Sequence, residues 1–207
     1  MKKITIYEKE LNAIMIGRKK TEEFILEFEE MIEQNLTEIG NKYKEKKPDL
    51  VLKMENSLLV VFEELKNTYW ELEKMKKTEG LKYIYISFLR TSIESQKEIF
   101  RIDLYDEKGR AGEVECACYW ECLELFSDFY KLRDKMKLFF QKQSKLKTYV
   151  LDERIIEVAE SINSIAKPYI VEAIKNVNGV ITWNVKELQI FIGEYLDKVE
   201  EVQTIHE

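Results

Sequence analysis

The sequence predicts an α+β fold that is predominantly helical, and three observations carry that reading. Glycine and proline are scarce, 7 and 2 in 207 residues, so the frequent tight turns of an all-β architecture are not provided for. Long stretches on both sides of the middle space their apolar residues by three and four. One central stretch alternates apolar and polar residues instead. With 45% hydrophobic residues, and 10 Phe, 11 Tyr and 3 Trp, the chain can bury a core without disulfides. A single domain over 1–207 is expected. It comprises a long antiparallel αα-hairpin over 21–79, a three-stranded antiparallel β-meander over 81–119, and about three C-terminal helices over 120–204.

The first 20 residues are ambiguous. Ile4–Tyr7 and Ala13–Ile16 read as two short strands because β-branched residues cluster there, or as one amphipathic helix from about Glu8. Thr21 is the expected N-cap of the first hairpin helix, with Glu22 and Glu23 at the positive end of its dipole. Ile25, Phe28, Ile32, Leu36, Ile39 and Tyr43 then form its apolar stripe. Pro48 breaks it. The second helix runs through Val51, Met54, Leu58, Val61, Leu65, Tyr69, Leu72 and Met75 to a stop at Gly80.

The strands are Tyr83–Leu89, Ile99–Tyr105 and Glu113–Cys118, with a turn at Asp106–Arg110. Helices return at about Trp120–Lys145 and Asp152–Val177, the second interrupted or kinked by Pro168. A last helix begins at Asn184, with Glu187 completing a capping box, and uses Leu188, Phe191, Ile192, Tyr195 and Val199.

Lys plus Arg number 33 and Asp plus Glu 39, a net charge of −6, which disfavours wrapping a phosphate backbone. The charge is segregated. Residues 98–128 hold 3 basic and 9 acidic residues, and 129–147 hold 7 basic and 1 acidic. An odd count of 3 Cys and the absence of a signal-peptide pattern point to the cytoplasm, and no apolar run is long enough to span a membrane.

Catalytic signatures are sparse. The one histidine, His206, lies beside the C-terminus, so triads and His-based zinc motifs are not expected. The glycines form neither GxxxxGK[ST] nor GxGxxG. Cys116, Cys118 and Cys122 lack a second ligand pair and read as packing residues. Asp103, Glu113 and Glu115 on neighbouring strands are the candidate catalytic carboxylates of a metal-dependent hydrolase. They resemble the Asp…Glu-x-Lys core of restriction-type nucleases, except that Glu115 stands where Lys is wanted. Tyr83 and Tyr85 share a strand face able to stack bases, but the RNP-type sequence is absent and the adjacent strands are acidic.

The expected function is therefore a non-enzymatic protein–protein interaction module of accessory, immunity or inhibitor type, with no cofactor or metal. Its partner is a protein or a second copy. The candidate partner-binding residues are Val60, Phe62 and Trp70 on the hairpin and Lys131, Arg133, Lys135 and Lys137 on the basic helix. The alternatives are the carboxylate hydrolase and nucleic-acid binding through residues 131–147.

Overall fold

The computed structural model describes residues 2–95, 99–112, 114–142, 147–195 and 198–206, with side chains from residue 20 onward except those of Glu94 and Ser95. Helix α1 spans Lys2–Glu45, so of the two readings of the first 20 residues the helical one holds, starting earlier than Glu8, and Thr21 lies inside it rather than capping it. β-branched residues disfavour a helix only slightly, and extending an existing helix adds a hydrogen bond per residue without a new nucleus. After the single residue Lys46, α2 spans Lys47–Lys74. Pro48 sits in its first turn, where the missing N–H has no intrahelical partner to lose. The helix stops at Lys74, with Lys76 at φ 56°, six residues before the expected glycine.

The two helices do not spend their apolar stripes on each other as the expected αα-hairpin would. Phe24 and Phe28 of α1 pack on Phe139 and Phe140 of α4 (Leu123–Phe140), and Lys42 pairs with Asp128 of α4 at 2.5 Å. Helix α2 lies chiefly along α5 (Thr148–Asn178), to which Lys47 and Glu55 reach through Glu172 and Asn176. Each apolar stripe is thus spent on a later part of the chain. Helix α5 begins after Lys147 rather than at Asp152, and it runs through Pro168 without a break.

Strands β1 (Tyr83–Phe88), β2 (Phe100–Tyr105) and β3 (Ala117–Trp120) form the expected antiparallel meander. A one-turn helix, α3 (Ser92–Ser95), lies between β1 and β2, and β3 starts four residues later than expected. The final helix is not formed. Residues Glu187–Glu194 are β4 and Val199–His206 are β5, an antiparallel hairpin. Strand β4 lies parallel to β1, giving a mixed five-stranded sheet of order β3-β2-β1-β4-β5. Residues 187–199 carry both periodicities. Leu188, Ile190 and Ile192 become fully or almost fully buried beside Ile84 and Ile86, and that burial selects the period of two. Asn184, the expected N-cap, instead takes φ 51° at the entry to β4.

The inner face of the sheet bears Ile84, Ile86, Phe88, Phe100, Ile102, Leu104, Trp120 and the β4 residues just named, all buried. Phe126 of α4 stacks on Phe88 at 5.6 Å, and the Trp120 indole donates to Ser57 Oγ of α2 at 3.0 Å. Helices α2, α4 and α5 therefore cover this face. Among the described residues no helix is long and apolar enough to cross a membrane.

Candidate functional site

Alternation along the strands sends the remaining side chains to the outer face. The registers align them in rows. One row is Tyr105, Tyr83, Gln189 and Thr204; the next is Ala117, Asp103, Tyr85, Phe191 and Glu201; a third is Tyr119, Arg101, Ser87, Gly193 and Val199. The middle of this face is an aromatic array. Tyr85 stacks on Phe191 at 5.0 Å and 14°, meets Tyr105 edge-on at 5.7 Å, and lies 6.3 Å from Tyr83. All four rings are half-buried rather than enclosed. A row of aromatic rings left partly wet is the composition that protein interfaces concentrate.

One guanidinium group lies on this array and a second stands on a tyrosine outside it. Arg110 stands on the short 3₁₀ turn Gly109–Ala111, and its guanidinium carbon is 4.6 Å from the Tyr85 ring centre. Asp106 anchors that turn. Its Oδ1 accepts from the Lys108 N–H at 2.9 Å, and its Oδ2 accepts from the Glu79 N–H and the Thr78 hydroxyl, both at 3.2 Å. Arg101 lies over Tyr195 at 5.1 Å. Its Nε and Nη2 reach Asp103 Oδ1 at 2.9 and 2.8 Å, and Nη2 also bonds Glu115. The Asp103 hydrogen bond is the main reason that the Arg101 pKa is pushed up. Burial, with the Asp103 charge adding to it, raises the Tyr105 hydroxyl to about 12.

The sequence-derived carboxylates divide accordingly. Asp103 is 2% exposed and Glu115 is exposed; they converge on Arg101, whose charge already neutralises the buried member. Glu113 lies outside the described residues. Among the described residues no three His, Cys, Asp or Glu side chains gather as metal ligands would. Cys116 and Cys122 are buried and Cys118 is half-buried. Burial raises the Cys116 and Cys118 thiols to about 11 and 12 and pushes Cys122 well up, which keeps all three in the unreactive thiol form.

The candidate partner-binding residues also part company. Val60 is 59% exposed, but Phe62 is fully buried, edge-on to Trp183 at 5.6 Å, so it is a core residue and not a docking contact. Trp70 is half-buried beneath the Lys66 ammonium. On α4, Lys131, Lys135 and Lys137 are exposed, whereas Arg133 is 5% exposed and donates to the Ile93 carbonyl at 3.0 Å and to Asp134. Arg133 therefore ties α4 to the segment after β1 rather than offering charge to a partner. Lys131 and Lys135 in turn point to Asp128 and Asn35. A cavity of about 550 Å³ beside Arg133 is walled by Ile93, Ile155 and Ile156, but its Arg90 is already paired with Glu160 and Glu194.

The signal missed in the sequence is Phe191. Read on a helix it belonged to a core stripe; on β4 it is the ring that completes the outer array. Compared with protein-family models, curated proteins and solved structures, the chain matches none.

Proposed function

We propose that this protein is a non-enzymatic interaction module that binds a protein partner through the outer face of its sheet. The observation that carries the reading is the half-exposed array of Tyr83, Tyr85, Tyr105 and Phe191, with Arg110 stacked on Tyr85 and Arg101 on Tyr195. Tyr and Arg dominate interface hot spots because each combines a large flat contact area with polar groups. The surface is unsuited to a polyanion. Lys82, Arg101 and Arg110 share it with Asp103, Glu107, Glu115, Glu187 and Glu201, so acids outnumber bases. The hydrolase alternative has less support, since Asp103 is buried and held by Arg101.

The test is site-specific photo-crosslinking in lysate of the source cells. A crosslinker replaces Gln189 on the outer face or, as control, Val180, which is 74% exposed near the end of α5. The expected outcome is one dominant protein adduct from position 189 that is absent from 180. Equal or absent labelling at the two positions would remove the reading.

A further inference from the structure

The outer face already holds a cation, and that cation belongs to the chain itself. Arg110 is exposed, forms no ion pair among the described residues, and spends its guanidinium on the Tyr85 ring at 4.6 Å. The ring's electron-rich face attracts it, and Tyr85 also stacks on Phe191. The turn that carries Arg110 is fixed by Asp106, and Gly109 supplies the φ of 58° that the turn requires. The seat is therefore built, and its occupant is an exposed side chain of the same chain.

The charge around the seat points the same way. Lys82 is matched by Glu107, and Arg101 by Asp103 and Glu115. Among the described residues Glu201 bonds only to a neutral neighbour, accepting from Thr204 Oγ1 at 2.5 Å, whereas Glu187 accepts from Gln189 Nε2 at 2.8 Å and also lies within electrostatic reach of Lys82. Both lie on the outer face, on the side of the array away from Arg110. An incoming segment thus meets aromatic rings and the Glu201 carboxylate, which has no cation partner among the described residues.

Resting on the interaction reading above, we infer that the partner presents a basic, arginine-bearing segment, one arginine of which displaces Arg110 from Tyr85 while a neighbouring cation meets Glu201. Arginine is favoured over lysine because its planar guanidinium stacks on a ring and is less strongly hydrated. Arg110 then acts as a resident competitor that lowers the apparent affinity in proportion to its occupancy.

Titration calorimetry with a hexa-arginine peptide at about 0.15 M salt tests this, with hexa-lysine and a dodecamer of uridylate as comparison probes. Arg110→Ala is expected to tighten hexa-arginine binding about tenfold, as if the seat were nine-tenths occupied. Tyr85→Phe keeps the ring and should bind as the parent does. Tyr85→Leu in the Arg110→Ala background should abolish the gain. Hexa-lysine of equal charge should bind at least several-fold more weakly. Equal binding by the parent and Arg110→Ala, or equal binding of the two cationic peptides, overturns the inference, as does tighter binding of the uridylate. If Tyr85→Leu fails to fold by circular dichroism, the Arg110→Ala and lysine comparisons still decide. A dominant crosslinked partner without basic segments would sink this inference alone, while unselective crosslinking would sink the interaction reading itself.

Discussion

Arg101 and Asp103 are two residues apart on β2, so both side chains leave the same face, and the Arg101 guanidinium donates to Asp103 Oδ1 from Nε at 2.9 Å. A carboxylate 2% exposed is tolerable in the sheet because this neighbour compensates it. Replacing Arg101 by Met should destabilise the fold by about 3 kcal/mol, the usual result of stranding a buried charge. The double change Arg101→Met with Asp103→Leu should cost less than the single one. Urea unfolding of the parent, both single variants Arg101→Met and Asp103→Leu, and the double variant measures the coupling.

Phe62 and Val60 are neighbours in sequence with opposite surroundings, one fully buried and the other 59% exposed. Phe62→Ala is expected to cost about 3–5 kcal/mol through lost burial and the cavity left behind. Val60→Ala should stay within about 0.5 kcal/mol. Denaturant midpoints of the two variants check the assignment of Phe62 to the core.

Gly193 faces the backbone of β5. A Cβ there would stand 2.2 Å from the Lys198 carbonyl oxygen and 2.7 Å from the Val199 Cα. Because both obstacles are backbone atoms, Gly193→Ala must push the hairpin apart, at an expected cost of about 1–3 kcal/mol. Amide exchange should accelerate in β5 before it does in β1 or β2.

The thiols make a pH prediction. Their pKa values are raised on folding, so the folded chain keeps protons that the unfolded chain releases above about pH 8.5. Stability should therefore hold below that pH and fall as it rises toward 11–12, the values of Cys116 and Cys118. At pH 8, iodoacetamide should label Cys116 about a hundredfold more slowly in the native protein than in the unfolded chain. Rapid native labelling would show that the thiol is accessible and ionised.

The mixed class, the first two strands of the meander and the helices around α4 and α5 were legible because their periodicity comes from the local chain, whereas the third strand ends at Trp120, where a helix was expected to begin. Asp103, Arg101 and Tyr105 could likewise be placed on one strand face by alternation alone. Neither the partners of the α1 and α2 stripes nor the form of residues 187–206 could be read that way. An apolar stripe specifies that a face is buried but not against what, and here α4 and α5 took the faces that the hairpin reading had given to each other. Leu188, Phe191 and Ile192 fit a helix, while Leu188, Ile190 and Ile192 fit a strand; the parallel pairing of β4 with β1, more than a hundred residues earlier in the chain, decided between them. That same pairing set Phe191 on Tyr85. Residue type and local spacing thus determined the elements and their apolar faces, whereas long-range burial and strand pairing decided which faces met and left the aromatic array on the outside.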